Sequence, residues 1–480
     1  MWLATALLVQ GCGGGGSAAP PVGSAPSPAP SPSPTPPTTS QCSVRERQLW
    51  AEQQIREWYL FPEDLPASLD PAQFSTVDDF IDALTANARA AGKDRFYTFV
   101  TSITEENAFI NQGQTAAFGI RLRYDETARR VFVLDVFETG PAFTAGLDRG
   151  AELLAIGDTP SSLISVASLM ASGGSAAVSD ALGPSQTGVT RTIEYRLSGQ
   201  TRTVTVTKAE FDIPPISSRF GVQTLPDGAG GQVGYVNLRS FIGTAETPLR
   251  QAFASFRAAG INRVIVDYRY NGGGLVRIAE VTGDLLGRNR LPADVYSITR
   301  FRPSKSAENE TRPFRPTTDS IAPTAMAFIT TDSSASSSEY VINSMLPWLR
   351  GDLAMVGADS FGKPVGQIAF DRPACDDRLR VVAFSTRNAD DRGDYFNGLA
   401  SEVEAQGGRT CEASDNPALQ MGNPAEASTA RAIRAIKGEL CTPIGGAANT
   451  AAASPATGRA TGLLSPRRPS AAQRDMPGLF

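Results

Sequence analysis

Val264-Ile265-Val266-Asp267-Tyr268-Arg269-Tyr270-Asn271-Gly272-Gly273-Gly274 is the stretch that decides the fold. It opens on an unbroken apolar run, which a strand carries when both of its faces are buried, as in a parallel sheet. The run stops at polar residues and three glycines, where backbone can approach another group without a Cβ in the way. A second strand of this kind, Ala325 to Thr331, runs into Ser333-Ser334-Ala335-Ser336-Ser337-Ser338-Glu339 and then a helix carrying Tyr340, Val341, Met345 and Leu346. Upstream lie a strand from Val233 to Leu238 and a helix through Leu249, Phe253 and Phe256 that Gly260 stops. Strands alternating with helices specify an α/β core over residues 211–445.

Outward from this core the pattern changes. Residues 103–210 show short alternating segments (Ile120, Leu122, Tyr124; Val131, Val133; Ile193, Tyr195, Leu197; Val204, Val206), which predict a β-rich module. Residues 42–102 read as a small helical domain. Ser43 and Glu46 form a capping box, Val44, Ala51, Ile55 and Trp58 follow at helical spacing, and a second helix starts at Ser75 with Val77, Phe80, Ile81 and Leu84 on one stripe. Residues 12–41 are rich in Gly, Pro and Ser and predict a tether. Residues 446–480 are expected to be a disordered tail. The apolar start MWLATALLV followed by Gln10-Gly11-Cys12 resembles a bacterial lipoprotein signal. That resemblance implies a signal peptide over 1–11, a lipid on the Cys12 thiol, and a chain anchored in the bacterial cell envelope facing the periplasm or cell surface.

Composition narrows the chemistry. At 480 residues the chain is long enough for two or three domains. Its net charge of -5, with no stripe of Lys or Arg, gives no footprint for nucleic acid. The chain has no histidine, which removes Ser-His-Asp and Cys-His catalysis and His-ligated zinc or haem. No cofactor or metal is expected. Beyond Cys12 the cysteines are Cys42, Cys375, Cys411 and Cys441, with no C-x-x-C pair, so disulfides are favoured over a metal site. Of three possible pairings the expected one joins Cys375 to Cys411, around a polar insertion, and Cys42 to Cys441, across the ends of the folded region.

With histidine absent, a hydrolase needs another base. A serine hydroxyl between a buried strand and a helix meets free backbone N–H groups and the positive end of the helix dipole. Downstream lie Phe361-Gly362-Lys363 and Gln367, upstream the glycine run. Across roughly residues 45 to 440 the chain resembles the C-terminal processing (tail-specific) proteases. In that family the nucleophile lies three residues before the Glu of an S-A-S-A-S-E motif, which implies Ser336. The general base follows an aromatic and a Gly, which implies Lys363, with Gln367 as its partner. The resemblance implies a crotonase/ClpP-like α/β protease core, an inserted PDZ domain and an N-terminal helical domain. The oxyanion hole falls to the backbone N–H groups of Ser337 and Gly273. Ser337 stands where the family has alanine, and the stretch from Ser336 to Lys363 is slightly longer, with an extra turn placed near Pro347.

Phe118-Gly119-Ile120 and the run Gly140-Pro141-Ala142, Ala145-Gly146-Leu147, Gly157-Asp158 resemble a PDZ domain, implying capture of a polypeptide end by backbone amides at Phe118, Gly119 and Ile120. The tail ends in the apolar Pro477-Gly478-Leu479-Phe480, which makes self-recognition a second expectation for it. Bland readings stand beside each: Ser336 as a helix cap, Lys363 as a surface lysine, the glycines as a turn, Arg392-Gly393-Asp394 as chance. Asp390, Asp391 and Asp394 lack the spacing of a calcium loop. The expected function is a serine endopeptidase that uses a Ser/Lys dyad with Gln to cleave polypeptides recognised at C-terminal or unfolded segments through the PDZ module. The competing readings are a catalytically weak scaffold of the same fold and a lipid or small-ligand carrier.

Overall fold

The computed structural model describes residues 39–445 and 461–480; the signal segment, Cys12 and nearly all of the tether lie outside the described residues. The central sheet has six strands in the order Val222–Pro226, Gln232–Asn237, Arg263–Asp267, Ala325–Thr330, Leu353–Gly357 and Arg409–Glu412. The first pair is antiparallel and the rest are parallel. Successive residues of the opening stretch enter opposite cores: Val264 and Val266 join Phe328, Val341 and Met345, whereas Ile265 joins Ala327, Ile329 and Ala432. Burial on both sides explains the missing alternation, and it stabilises by about 1.5–3 kcal/mol for each fully buried Val or Ile side chain.

A second, antiparallel sheet contains Phe99–Ser102, Val295–Phe301, Glu310–Pro313, Val365–Arg372 and Asp377–Arg387. The N-terminal helices, Val44–Trp58 and Val77–Leu84, pack onto it. Ala51, Ile55, Phe80, Ile81 and Leu84 share one core with Leu379, Val381 and Val382, so residues 42–102 do not close a core of their own. The stripe of the first helix is also rotated from expectation: Val44 is exposed, and Gln48 is buried with its amide donating to Phe74 O and Thr76 O. The second helix is capped by Thr76 Oγ1, which accepts from Asp79 N, rather than starting at Ser75.

The β-rich module joins Ile120–Asp125, Arg130–Val136, Glu152–Gly157, Thr190–Leu197 and Gln200–Thr207 in one antiparallel sheet covered by the helix Val166–Leu182. Two buried arginines tie it to the core. Arg239 pairs with Asp135 and Glu138 at 2.8 Å each, and Arg149 reaches Asp415 at 2.7 Å.

Two expectations are corrected. Residues 461–480 are folded rather than disordered: Thr461–Leu463 adds a strand to Arg123–Asp125, and Ala471–Asp475 is a short helix. Their apolar side chains are buried, Leu464 and Phe480 among them, which supplies the stabilisation that composition alone did not suggest. The disulfides join Cys42 to Cys375 and Cys411 to Cys441. The turn at Thr39–Cys42 lies against the turn at Pro373–Cys375, and Cys411, on the outermost strand of the central sheet, meets the segment leaving the last core helix; Glu412 N donates to Thr442 O. Asp390, Asp391 and Asp394 each pair with an arginine, Arg350, Arg300 and Arg387 respectively. Among the described residues no helix is long and apolar enough to cross a membrane.

Candidate active site

Ser336 sits between the buried strand Ala325–Thr330 and the helix Ser337–Leu349, with φ 54° and ψ -114°. A non-glycine residue in that region is strained and is held there by its surroundings. The principal restraint is Glu339, whose side chain is fully buried. One carboxylate oxygen accepts from Ser336 N and Lys363 N, both at 2.8 Å; the other accepts from Ser360 Oγ and Gly362 N, both at 2.6 Å. Burial pushes its pKa up, and the four donors oppose that shift. One acid thus fixes the serine turn and the lysine loop to each other.

Lys363 precedes the strand Val365–Arg372, and Gln367 lies on it. The ammonium donates to Gln367 Oε1 at 3.1 Å, and Gln367 Nε2 donates to Tyr97 O. Nζ lies 4.8 Å from the centre of the Tyr97 ring. Burial holds the Lys363 pKa below its ordinary value, against smaller opposing effects of the Asp475, Asp94 and Glu339 carboxylates. Nζ makes no hydrogen bond to Ser336. Arg95 supports the loop from outside, donating to Phe361 O and Gly362 O at 2.6 Å each and lying over the Phe361 ring at 4.1 Å.

The glycine run closes the third side. A Cβ on Gly273, whose φ is 118°, would lie 2.8 Å from Ser336 Cβ, so this close approach requires glycine. The residues before it anchor the run. Asp267 and Arg269 pair in full burial, and Asn271 Nδ2 donates to Leu238 O at 2.8 Å. Gly273 N–H donates to Asn271 Oδ1 at 3.0 Å, so in this arrangement the expected oxyanion donor is engaged by a side chain. Gly272 N–H donates to Asp475 O at 3.1 Å. Ser337, as the first residue of its helix, has an N–H with no carbonyl one turn back to receive it.

Phe118-Gly119-Ile120 lies on the β-rich module, apart from Ser336. Gly119 has φ 82°, and a Cβ there would meet Gly140 Cα at 2.8 Å. The N–H groups of Gly119 and Ile120 both donate to Phe480 O, at 2.9 and 3.1 Å. Sequence reasoning brought Ser336, Lys363, Gln367, Ser337 and Gly273 to one place. It missed Arg95 and Tyr97, which no motif flags, and used Glu339 only as a landmark.

The arrangement offers a hydroxyl at a helix start, a partly buried amine of lowered pKa, and the Ser337 N–H as a backbone donor, with the glycine run close by. Comparison with known proteins is consistent with it. The profile of peptidase family S41 matches residues 232–401. The C-terminal processing peptidase of the chloroplast of Tetradesmus obliquus is 28% identical over 274 residues, which is 54% of this chain and 53% of the relative. A carboxyl-terminal-processing protease of Picosynechococcus is 24% identical over 262 residues, 54% of this chain and 57% of the relative. The chain therefore spans about half the length of the curated relatives it matches. A solved structure from Bacteroides fragilis, of a protein assigned to the S41 proteases, superposes with a TM-score of 0.60 at 19% identity, covering 81% of this chain and 97% of that one. At that identity the likeness concerns the fold.

Proposed function

Because residues 232–401 match the profile of peptidase family S41, we propose that the chain is a serine endopeptidase in which Ser336 is the nucleophile and Lys363 the general base. Ser336 Oγ attacks the scissile carbonyl while its proton passes to the neutral amine of Lys363. The C–N bond then breaks, Lys363 returns the proton to the leaving amine, and water hydrolyses the ester left on Ser336. Ser337 N–H and a glycine N–H of the run stabilise the oxyanion; Gly273 serves once its peptide turns from Asn271. Gln367, fixed by Tyr97, orients the amine without adding a negative charge that would raise its pKa. One observation carries the reading: the backbone N–H groups of a strained serine and of a partly buried lysine of lowered pKa share one oxygen of the Glu339 carboxylate. In this reading the β-rich module is a PDZ domain that captures extended polypeptide, and a lipid on Cys12 holds the protein in the cell envelope.

A second reading, a catalytically weak scaffold, is favoured by the hydrogen bond of Lys363 to Gln367 rather than to Ser336. The two are separated by incubating the full chain with an excess of an unfolded polypeptide and following new N-termini. Cleavage abolished in Ser336→Ala and in Lys363→Ala supports the endopeptidase. Binding without cleavage by the unaltered chain supports the scaffold.

A further inference from the structure

Residues 461–480 occupy the two places an incoming polypeptide needs. Along the module, the free edge of Ile120–Asp125 is paired twice by this segment. Thr461, Gly462 and Leu463 lie antiparallel to Asp125, Tyr124 and Arg123, and Leu464 N donates to Leu122 O at 2.9 Å. Further along the same edge Leu122 N donates to Gly478 O at 2.8 Å, and Phe480 N donates to Ile120 O at 2.9 Å. The Phe480 ring is 1% exposed and belongs to the module core with Phe118, Leu182 and Val206.

Between these two pairings the segment turns across the catalytic side. Asp475 O accepts the N–H of Gly272, and a Cβ on Gly272 would meet Asp475 O at 2.8 Å and Pro477 Cδ at 3.0 Å. Met476 and Leu479 are buried against Phe109, Phe137, Ile242 and Leu275, the last being the residue after the glycine run. The Asp475 carboxyl lies within electrostatic reach of Lys363, Arg380 and Arg474 without an ion pair to any of them. Gln473 Nε2 donates to Leu479 O at 2.8 Å, which braces the turn. Main-chain pairing supplies affinity and the Phe480 pocket supplies selectivity, the two elements of strand-addition recognition.

We propose that residues 461–480 are a built-in ligand that keeps the site at Ser336 closed, and that the protein opens for polypeptides presenting an extended apolar segment of the Gly-Leu-Phe kind, which displace it. The segment blocks entry at the strand edge through 478–480 and at the glycine run through Asp475. The inference rests on the peptide-capture reading of the module and is independent of the chemistry assigned to Ser336.

The test uses a fluorescent synthetic peptide of residues Ser470–Phe480 with the full chain, the chain ending at residue 460, and full-length Phe480→Asp, prepared with Ser336→Ala for the binding measurement and with Ser336 intact for the modification measurement. An attached ligand acts at an effective concentration of about 1 mM, so a peptide of ~10 μM intrinsic affinity should bind the full chain about 100-fold more weakly than the shortened one. Phe480→Asp should bind nearly as the shortened chain does, which covers the case in which the shortened chain fails to fold. A fluorophosphonate should modify the shortened chain and Phe480→Asp at least ~10-fold faster than the full chain, and added peptide should reverse the gain. Equal peptide affinity for the full chain and Phe480→Asp, or equal modification rates across these forms, would overturn the proposal. A binding difference with no fluorophosphonate reaction in any form would leave the segment as the groove's ligand and sink the peptidase reading instead.

Discussion

Replacing Glu339 by glutamine keeps the shape of the residue that joins the two halves of the site and removes its charge. Each carboxylate oxygen receives two donors, Ser336 N and Lys363 N on one, Ser360 Oγ and Gly362 N on the other. Glutamine offers one oxygen and one NH2. If the NH2 faced Ser336 and Lys363, two backbone N–H groups would point at a donor. In the other orientation the Ser360 hydroxyl can turn and accept, so only Gly362 N–H is orphaned. That orientation wins. One buried orphan costs about 1–3 kcal/mol, and each bond that loses its charge assistance weakens by about 1 kcal/mol. Relief of carboxylate burial offsets part of this, leaving a net loss of ~2–4 kcal/mol. Shifts of the order of 1 Å in the Ser336 and Lys363 backbones should slow reaction about 100-fold. The assay is fluorophosphonate modification rate beside chemical denaturation of Glu339→Gln, with Ser360→Ala as the comparison that keeps the carboxylate but loses two hydrogen bonds, the one donated to Glu339 and the one accepted from Leu399 N, and about 2–3 kcal/mol. A Glu339→Gln protein of unaltered stability, reacting within threefold of the original, would show that Glu339 does not hold the serine turn and the lysine loop together.

Gly273→Ala places a methyl 2.8 Å from Ser336 Cβ at a φ of 118°; it should remove fluorophosphonate reaction and cost about 2–4 kcal/mol in denaturant unfolding, strain and clash together. The pKa of Lys363 lies below its ordinary 10.5 because burial disfavours the ammonium, so the modification rate should rise with pH and level off at a midpoint below 10.5, with no such rise in Lys363→Met. By linkage the folded state binds fewer protons than the unfolded one between that midpoint and 10.5, so stability should climb with pH across this window, a slope that Lys363→Met should lose. Peptide mapping without reduction should recover Cys42 joined to Cys375 and Cys411 joined to Cys441, and the double variant Cys411→Ser with Cys441→Ser should lose up to about 4 kcal/mol. Arg239→Ala leaves the buried Asp135 without its ion-pair partner, while Glu138 keeps Ser217 and Arg219, and should cost about 3–5 kcal/mol, read in denaturant unfolding.

The α/β core was legible because its strands carry a local signature. Val264, Ile265 and Val266 are apolar in succession, and the helix at Leu249, Phe253 and Phe256 keeps its period. The candidate site was legible where a backbone requirement fixes residue type, as at Gly273 beside Ser336. What escaped the sequence was set by tertiary contacts. The N-terminal helices looked self-sufficient, yet their stripe is completed by Leu379 and Val381 from the second sheet. Arg95 and Tyr97 carry no pattern, and their place beside Lys363 comes from the loop after those helices. The cysteine pairing depended on which strand ended the central sheet, a fact of topology. Residues 461–480 have the composition of a disordered tail, but Leu464, Met476, Leu479 and Phe480 find apolar surface already built by the rest of the chain.

The central claim is that one serine of the Ser333–Ser338 run is activated by Lys363. Mass-spectrometric location of a fluorophosphonate adduct tests it most directly, on the full chain and on the chain ending at residue 460. A single adduct is expected on Ser336, absent from Lys363→Ala. An adduct on a neighbouring serine, or on Ser336 at an undiminished rate in Lys363→Ala, would contradict it.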